Sequence, residues 1–355
     1  MKFSVKKNTL EIVLNHLQAF LDNKDSSQIT SHIYFETLDD EVLLKATDYE
    51  IRLETKIQIK KELDGNATVN GKKILDIIKR LKDEDLTLES DSQKIYISQG
   101  KSKFQLPMFN TSEFPKNIQN ANQKVNIDTK NFIHNLKKIS PAIDGSNQKI
   151  ALTGALLELK DYKLNFVATD TRRLAFIKED IQSIDSFYII IPKKALSEII
   201  KLFSDDMEIY CGETQLMIKN QYYTFYTKLI NDKFPDYEKI IPKEFKNQIT
   251  LPKNDVIEAI RLVNSISPKI KITFRSNSVL FENMQKENSE EGQTQFEYNI
   301  NIPENEELSI GVDSRYLLDF LSKIESESFE FCIKEVNIPF VVQDKNFSTI
   351  ILPII

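Results

Sequence analysis

Apolar and polar residues alternate along much of the chain, and at regular intervals that rhythm gives way to a helical one. Residues 33–48, IYFETLDDEVLLKATD, and 155–170, ALLELKDYKLNFVATD, alternate on both sides of a polar centre. Such alternation, rich in β-branched and aromatic residues, predicts two short strands around a turn. The segments align without a gap (33 against 155), and both end in Ala-Thr-Asp. A helical pattern recurs three times, in GKKILDIIKRL from Gly71, PKKALSEIIKLF from Pro192 and DSRYLLDFLSKI from Asp313. Apolar residues stand at i, i+3, i+4 and i+7 in each, which draws one stripe down a helix. The sets are Ile74, Ile77, Ile78 and Leu81; Leu196, Ile199, Ile200 and Phe203; Leu317, Phe320, Leu321 and Ile324. A second helical pattern opens at Leu10, Phe132 and Val256, and Phe114-Pro115 matches Phe234-Pro235.

These recurrences predict three homologous domains of ordinary size, with boundaries at 1–122, 123–246 and 247–355. The joints fall in the polar stretches PKNIQNANQK (115–124) and PKEFKNQ (242–248). Two helices and several hairpins per domain make an α+β class. The third copy lacks Ala-Thr-Asp, and its residues 282–299, ENMQKENSEEGQTQFEYN, read as a long solvated loop or a hairpin extension. A chain of 355 residues also exceeds what one core holds, and 41% apolar residues suffice for several.

Net charge is −6, so the protein is not coated in basic residues, although one local basic face remains possible. No run approaches membrane-spanning length, and the start MKFSVKKNTLEIVL has no long apolar stretch. Two cysteines without an export signal predict a reduced, cytoplasmic protein. Cys211 and Cys332 occupy equivalent strand positions in different domains, which predicts buried, inert thiols. His16, His32 and His134 have no second ligand at metal spacing, so no metal site is expected. GNATVNGKK (65–73) resembles a phosphate loop, but five residues separate its glycines and Lys73 stands where a hydroxyl would hold magnesium. It reads as a turn into a helix.

Positive charge gathers on the predicted helices. Lys72, Lys73, Lys79 and Arg80 lie away from the apolar stripe, and Lys193, Lys194 and Lys201 repeat the arrangement. Lys130, Lys137 and Lys138 decorate another helix, whereas in the third domain Arg261 and Arg315 sit among Asp255, Glu258, Asp313 and Asp319. These are either solvated helix faces or one shared basic surface. Such a surface would meet phosphates without reading bases.

VATDTRRLAF, KLINDKFPDYEKIIP, the PKKALSEIIKLF helix and the terminal IILPII are together similar to the bacterial sliding clamp family, the beta subunit of DNA polymerase III. The resemblance spans the whole chain. It implies the DNA-clamp fold, with three homologous domains per chain and two chains closed head to tail into a homodimeric ring. Helices would line the hole and sheets would lie outside. It implies a processivity factor without catalytic activity or cofactor, which encircles double-stranded DNA regardless of sequence. The implied partners are the replicative DNA polymerase, an ATP-driven clamp loader and other DNA-processing proteins carrying short clamp-binding peptides. The DNA-facing residues would be Lys72, Lys73, Lys79, Arg80, Lys137, Lys138, Lys193, Lys194 and Lys201. The peptide pocket would use Leu152, Thr169, Thr171, Arg172, Arg173 and Leu174, then Pro235, Lys239 and Ile240. Asp313, Tyr316, Ile350, Leu352, Pro353 and Ile354 would complete it. This chain departs from the family in having Thr171-Arg172 where Gly-His is usual. Its tail also stops at Ile354-Ile355, where the family often adds a basic residue.

The stretch YKLNFVATDTRRLAFI (162–177) allows a catalytic cluster, an anion site or a strand ending in a polar turn. Thr47-Asp48 repeats Thr169-Asp170 in a domain where the family has no pocket, which assigns Asp170 to the turn. Two other readings stand beside the clamp: a non-topological scaffold that binds partner peptides, and a hydrolase using carboxylates near Arg172 and Arg173.

Overall fold

The computed structural model describes residues 1–22, 24, 28–115, 123–182, 186–204, 206–284, 290–303 and 306–355. Its helices fall in three pairs, α1 (Lys7–Leu17) and α2 (Gly71–Arg80), α3 (Thr129–Ile139) and α4 (Lys193–Leu202), α5 (Lys253–Asn264) and α6 (Ser314–Leu321). The phosphate-loop look-alike is the strand Asn66–Asn70 running into α2. Asn70 caps that helix by accepting the Lys73 N–H at 3.0 Å. Gly71 is there for close packing, since a Cβ would meet Leu21 Cδ1 at 2.3 Å.

The helical stripes are real but sit one position off in two cases. On α2 the buried residues are Ile74, Leu75 and Ile78, while Ile77 and Leu81 are half-buried. On α4 they include Ala195, Leu196 and Ile199, with Ile200 half-buried and Phe203 buried just past the helix end. All four predicted positions of the third set are buried. An apolar face wider than one row explains the difference: neighbours at i+1 share the core once the helix packs on a sheet.

The chain forms two compact units, residues 1–129 with 201–229 and residues 130–200 with 230–355. The first holds a five-stranded sheet, ordered Lys60–Leu63, Lys2–Lys6, Asp85–Ser90, Lys94–Gln99 and Ser102–Pro107. It also holds an eight-stranded sheet ordered Gln123–Val125, Glu208–Cys211, Gln215–Lys219, Tyr223–Lys228, Ile51–Gln58, Glu41–Thr47, His32–Thr37 and Asn66–Asn70. In the second unit an eight-stranded sheet runs Phe187–Pro192, Gly154–Lys160, Lys163–Thr169, Arg173–Asp180, Phe347–Ile351, Phe340–Asp344, Ser328–Ile333 and Asn247–Pro252. A four-stranded sheet follows the order Gln293–Glu297, Ser278–Asn283, Lys269–Arg275 and Leu308–Asp313. Each eight-stranded sheet therefore combines strands of two repeats. The repeated segments 33–48 and 155–170 are hairpins, as their alternation predicts.

The strand Gly154–Lys160 is buried on both faces for most of its length. On one face lies α3, whose Phe132 ring packs 6.0 Å from that of Phe166. On the other lies an apolar cluster covered by the segment 230–245, through Ile230, Phe234, Tyr237, Ile241 and Phe245. The predicted joint at 242–248 thus carries a packed aromatic residue. Most of the joint at 115–124 lies outside the described residues. The described ends of 282–299 pair as a hairpin, Glu282 opposite Gln293, and residues 285–289 lie outside the described set.

Both cysteines are free and buried on equivalent strands, and burial pushes their pKa up to about 12. Among the described residues no helix is long and apolar enough to cross a membrane, and no His, Cys, Asp and Glu cluster is arranged to hold a metal.

Candidate functional site

The turn after Ala-Thr-Asp is built the same way twice. Thr169 Oγ1 donates to the Arg173 carbonyl at 2.6 Å and accepts the Thr171 N–H at 3.1 Å. Asp170 Oδ1 accepts the N–H groups of Arg172 and Arg173 at 3.0 and 2.9 Å. In the first repeat Thr47 bonds Ile51 and Tyr49 in the same pattern, and Asp48 accepts from Glu50 and Ile51. The φ angle is 73° at both Tyr49 and Thr171. Asp170 is thus a turn-forming carboxylate, with its second oxygen engaged by Arg173 Nε at 3.0 Å.

Arg173 is nearly buried, and each of its three side-chain nitrogens donates a hydrogen bond. Besides Asp170, its guanidinium donates to Asp319 Oδ2 at 2.6 Å and to the Pro141 carbonyl at 2.5 Å, and it lies 4.6 Å over the Tyr316 ring. It bolts the turn to α6 and to the end of α3. From the sequence Asp319 stood out only as an acidic neighbour of Arg315, and neither it nor Pro141 was assigned to this site. No local spacing connects them to Arg173, because they stand 146 and 32 residues away.

The C-terminal strand completes the site. Phe347–Ile351 pairs with Arg173–Asp180, with Arg173 opposite Ile351 and Leu174 opposite Ile350. The Leu352 N–H then donates to the Arg172 carbonyl at 2.9 Å, and Ile354 bridges to Gly311. Leu152, Leu174 and Ile350 fall into one apolar cluster with Val167, Phe234, Tyr237 and Val341. Sequence spacing missed the last four as members of this floor. Leu352 remains 38% exposed above it, with Pro353 and Ile354 half-buried.

Other predicted residues stand at the rim or serve as supports. Pro235 is half-buried beside Phe234, Ile240 is 48% exposed, and Lys239 is exposed and paired to Asp236 at 2.7 Å. Asp313 caps α6 and is gripped by Arg315 at 2.9 and 2.6 Å. Burial opposes its charge, but the Arg315 fork prevails and holds its pKa below the usual carboxylate value. Thr171 and Arg172 are exposed.

The first repeat shows why it lacks a matching floor. Where Leu174 faces Thr169, Arg52 faces Thr47. Its guanidinium is buried, donating to the carbonyl of Pro115, the counterpart of Pro235. A buried charged group thus stands in the first repeat where the second has the apolar Leu174.

The basic helix residues divide by environment. Lys72, Lys73, Lys79, Arg80, Lys137, Lys194 and Lys201 are exposed. Lys193 is exposed too, but its ammonium reaches the Ile143 carbonyl at 2.7 Å. Lys138 is half-buried over the Phe347 ring at 5.6 Å, where burial lowers its pKa. These two cations are partly committed to packing.

Models of the DNA polymerase III beta subunit match the whole succession: its N-terminal domain over residues 1–119, its central domain over 126–236 and its C-terminal domain over 238–354. The chain belongs to the bacterial beta sliding clamp family. The beta sliding clamp of Helicobacter pylori (strain ATCC 700392 / 26695) is 37% identical over 372 residues, with 100% of both chains covered. That of Buchnera aphidicola subsp. Rhopalosiphum padi is 30% identical over 362 residues, covering 98% of this chain and 97% of the relative. A crystal structure of the Helicobacter pylori beta clamp bound to a DNA ligase peptide matches at 37% identity and a TM-score of 0.95, with 100% of both chains covered. A sliding clamp is a processivity factor and not an enzyme, so the hydrolase reading is set aside. The carboxylate on which that reading depended, Asp170, is the one that shapes the turn.

Proposed function

We propose that two copies of this clamp close head to tail around duplex DNA, with domains at 1–122, 123–246 and 247–355. The Arg173–Leu174 site then holds short peptides of the replicative polymerase, the clamp loader and other cytoplasmic DNA-processing proteins. One observation carries the reading. Both junctions between repeats use the same strands in the same register: Thr227 stands opposite Ile51 and Tyr223 opposite Thr55, as Ile351 stands opposite Arg173 and Phe347 opposite Ile177. Continuing that rule leaves one donor strand and one acceptor strand at sheet edges, Ser102–Pro107 and Gln293–Glu297. An open edge is a template for pairing, and a heterologous contact that closes makes a ring.

The same rule names the contact. Phe225 packs 5.8 Å from Phe20, which stands ten residues past Leu10. The corresponding residues are Phe104 on one edge strand and Ile266, ten past Val256. They are 39% and 38% exposed in the single chain. Phe104 of one copy then covers Ile266 of the next. Sedimentation should give a dimer for the natural chain and a folded monomer for Phe104→Arg. A dimer that survives this substitution with unchanged affinity would place the interface elsewhere.

The peptide site supplies an apolar floor with polar groups around it, the pattern of a small pocket that orients its ligand. Two or three buried anchors provide roughly 1.5–3 kcal/mol each before ordering costs, which suits micromolar binding. The exposed helix lysines supply a sequence-blind attraction to phosphates.

A further inference from the structure

We propose that a second groove, beside the peptide site, receives the acidic flank of a bound partner peptide. The inference rests on reading the Arg173–Leu174 site as a peptide pocket. The groove encloses about 460 Å³ in the second compact unit and includes Leu156, Phe234 and Pro235 in its lining. Leu156 and Phe234 belong to the same apolar cluster as Leu152, Leu174 and Ile350. Pro235 stands at the rim of the site already described, so a chain passing over it enters the groove without leaving the surface.

Strand register explains the charge there. Glu158 stands opposite Asn165, Lys160 opposite Lys163, and Asn165 opposite Lys178. All five side chains therefore share one face of the sheet. Lys160 and Lys163 form a like-charge pair directly across a hairpin; Asp180, opposite Lys163 on the next strand, offsets part of that repulsion, and a bound anion relieves the rest. Lys233 adds a fourth cation to the lining. None of the four lysines forms an ion pair among the described residues.

Four carboxylates also line the groove, but two are engaged. Glu158 accepts from the Tyr237 hydroxyl at 3.1 Å, and Asp236 pairs with Lys239 at 2.7 Å. Asp161 and Glu238 are exposed. Asn165 is 9% exposed, and its side-chain amide makes no hydrogen bond among the described residues. It is therefore available to an incoming peptide group. Phe132 of α3 packs on Phe166, which points to the opposite face of the same strand. The groove is thus on the far side of the sheet from α3 and its lysines, which favours an acidic peptide over DNA as its occupant.

The test uses the full chain and fluorescent peptides: a short core with Leu and Phe anchors, and the same core with three glutamates added at either end. One of the extended peptides should bind about fivefold more tightly than the core at low salt, with the gain fading as salt rises. Lys160→Glu with Lys163→Glu and Lys178→Glu should leave core affinity unchanged and abolish the gain. Equal affinity of all three peptides for the natural chain, or a gain that persists in the variant, overturns the proposal. A core peptide that binds neither protein overturns the peptide-site reading and this inference with it. Duplex DNA that competes with the extended peptide and loses affinity in the variant would assign the lysines to nucleic acid instead.

Discussion

Thr171 holds φ at 73°, a left-handed conformation that a β-branched residue rarely adopts. Glycine meets no Cβ penalty there, although it loses more entropy on folding. Thr171→Gly should therefore stabilise the protein by roughly 0.5–1 kcal/mol, visible as a higher unfolding midpoint in urea. An unchanged or lower midpoint would show that the turn is unstrained. His32 offers a second check. It is buried against the Phe109 ring, and burial, helped by the charge of Lys73, pushes its pKa down to about 4 from an ordinary 6.5. The unfolded chain thus takes up a proton first as pH falls. The contribution is fully present above pH 6.5 and is lost on the way down to pH 4, by roughly 3 kcal/mol in total. His32→Leu should flatten this limb of a stability–pH profile, and an identical limb in the variant would assign it to other groups. At this scale the sequence was readable where it repeated itself. Thr47-Asp48 disclosed the turn role of Asp170, whereas the Arg173 bonds to Asp319 and Pro141 depend on distant segments meeting.

Helices and strands were legible from periodicity, but their neighbours were not. Alternation tells which residues share a face of a strand and leaves open which strand lies beside it. The family resemblance of the terminal IILPII placed Ile350, Leu352, Pro353 and Ile354 at the candidate site, but no periodicity announced that Phe347–Ile351 would pair with Arg173–Asp180 to bring them there. Double-sided burial likewise hid the cluster under the segment 230–245: of its aromatic residues only Phe245 falls in the polar joint 242–248, and Phe234 was legible as a repeat of Phe114 but not as part of a core. The basic helices were legible as amphipathic faces, and the exposed Lys72 and Lys79 of α2 fit that reading. Lys72→Ala with Lys79→Ala should reduce the slope of log affinity against log salt for duplex DNA, by about 0.9 for each phosphate that these two side chains neutralise. A parallel line with an unchanged slope would remove these lysines from the DNA surface.

For the whole molecule, triplication supplies the decisive constraint. Two junctions built in one register leave two unmatched edges, and in the proposed ring a second copy satisfies both. Encirclement then separates retention from affinity: weak phosphate contacts permit sliding, while the closed ring prevents escape. The most direct measurement follows the protein after a clamp loader and ATP have placed it on a nicked circular plasmid. In salt that suppresses phosphate contacts, it should remain on the circle and leave from the ends once the plasmid is cut. Equal retention on the circular and linear forms would contradict encirclement.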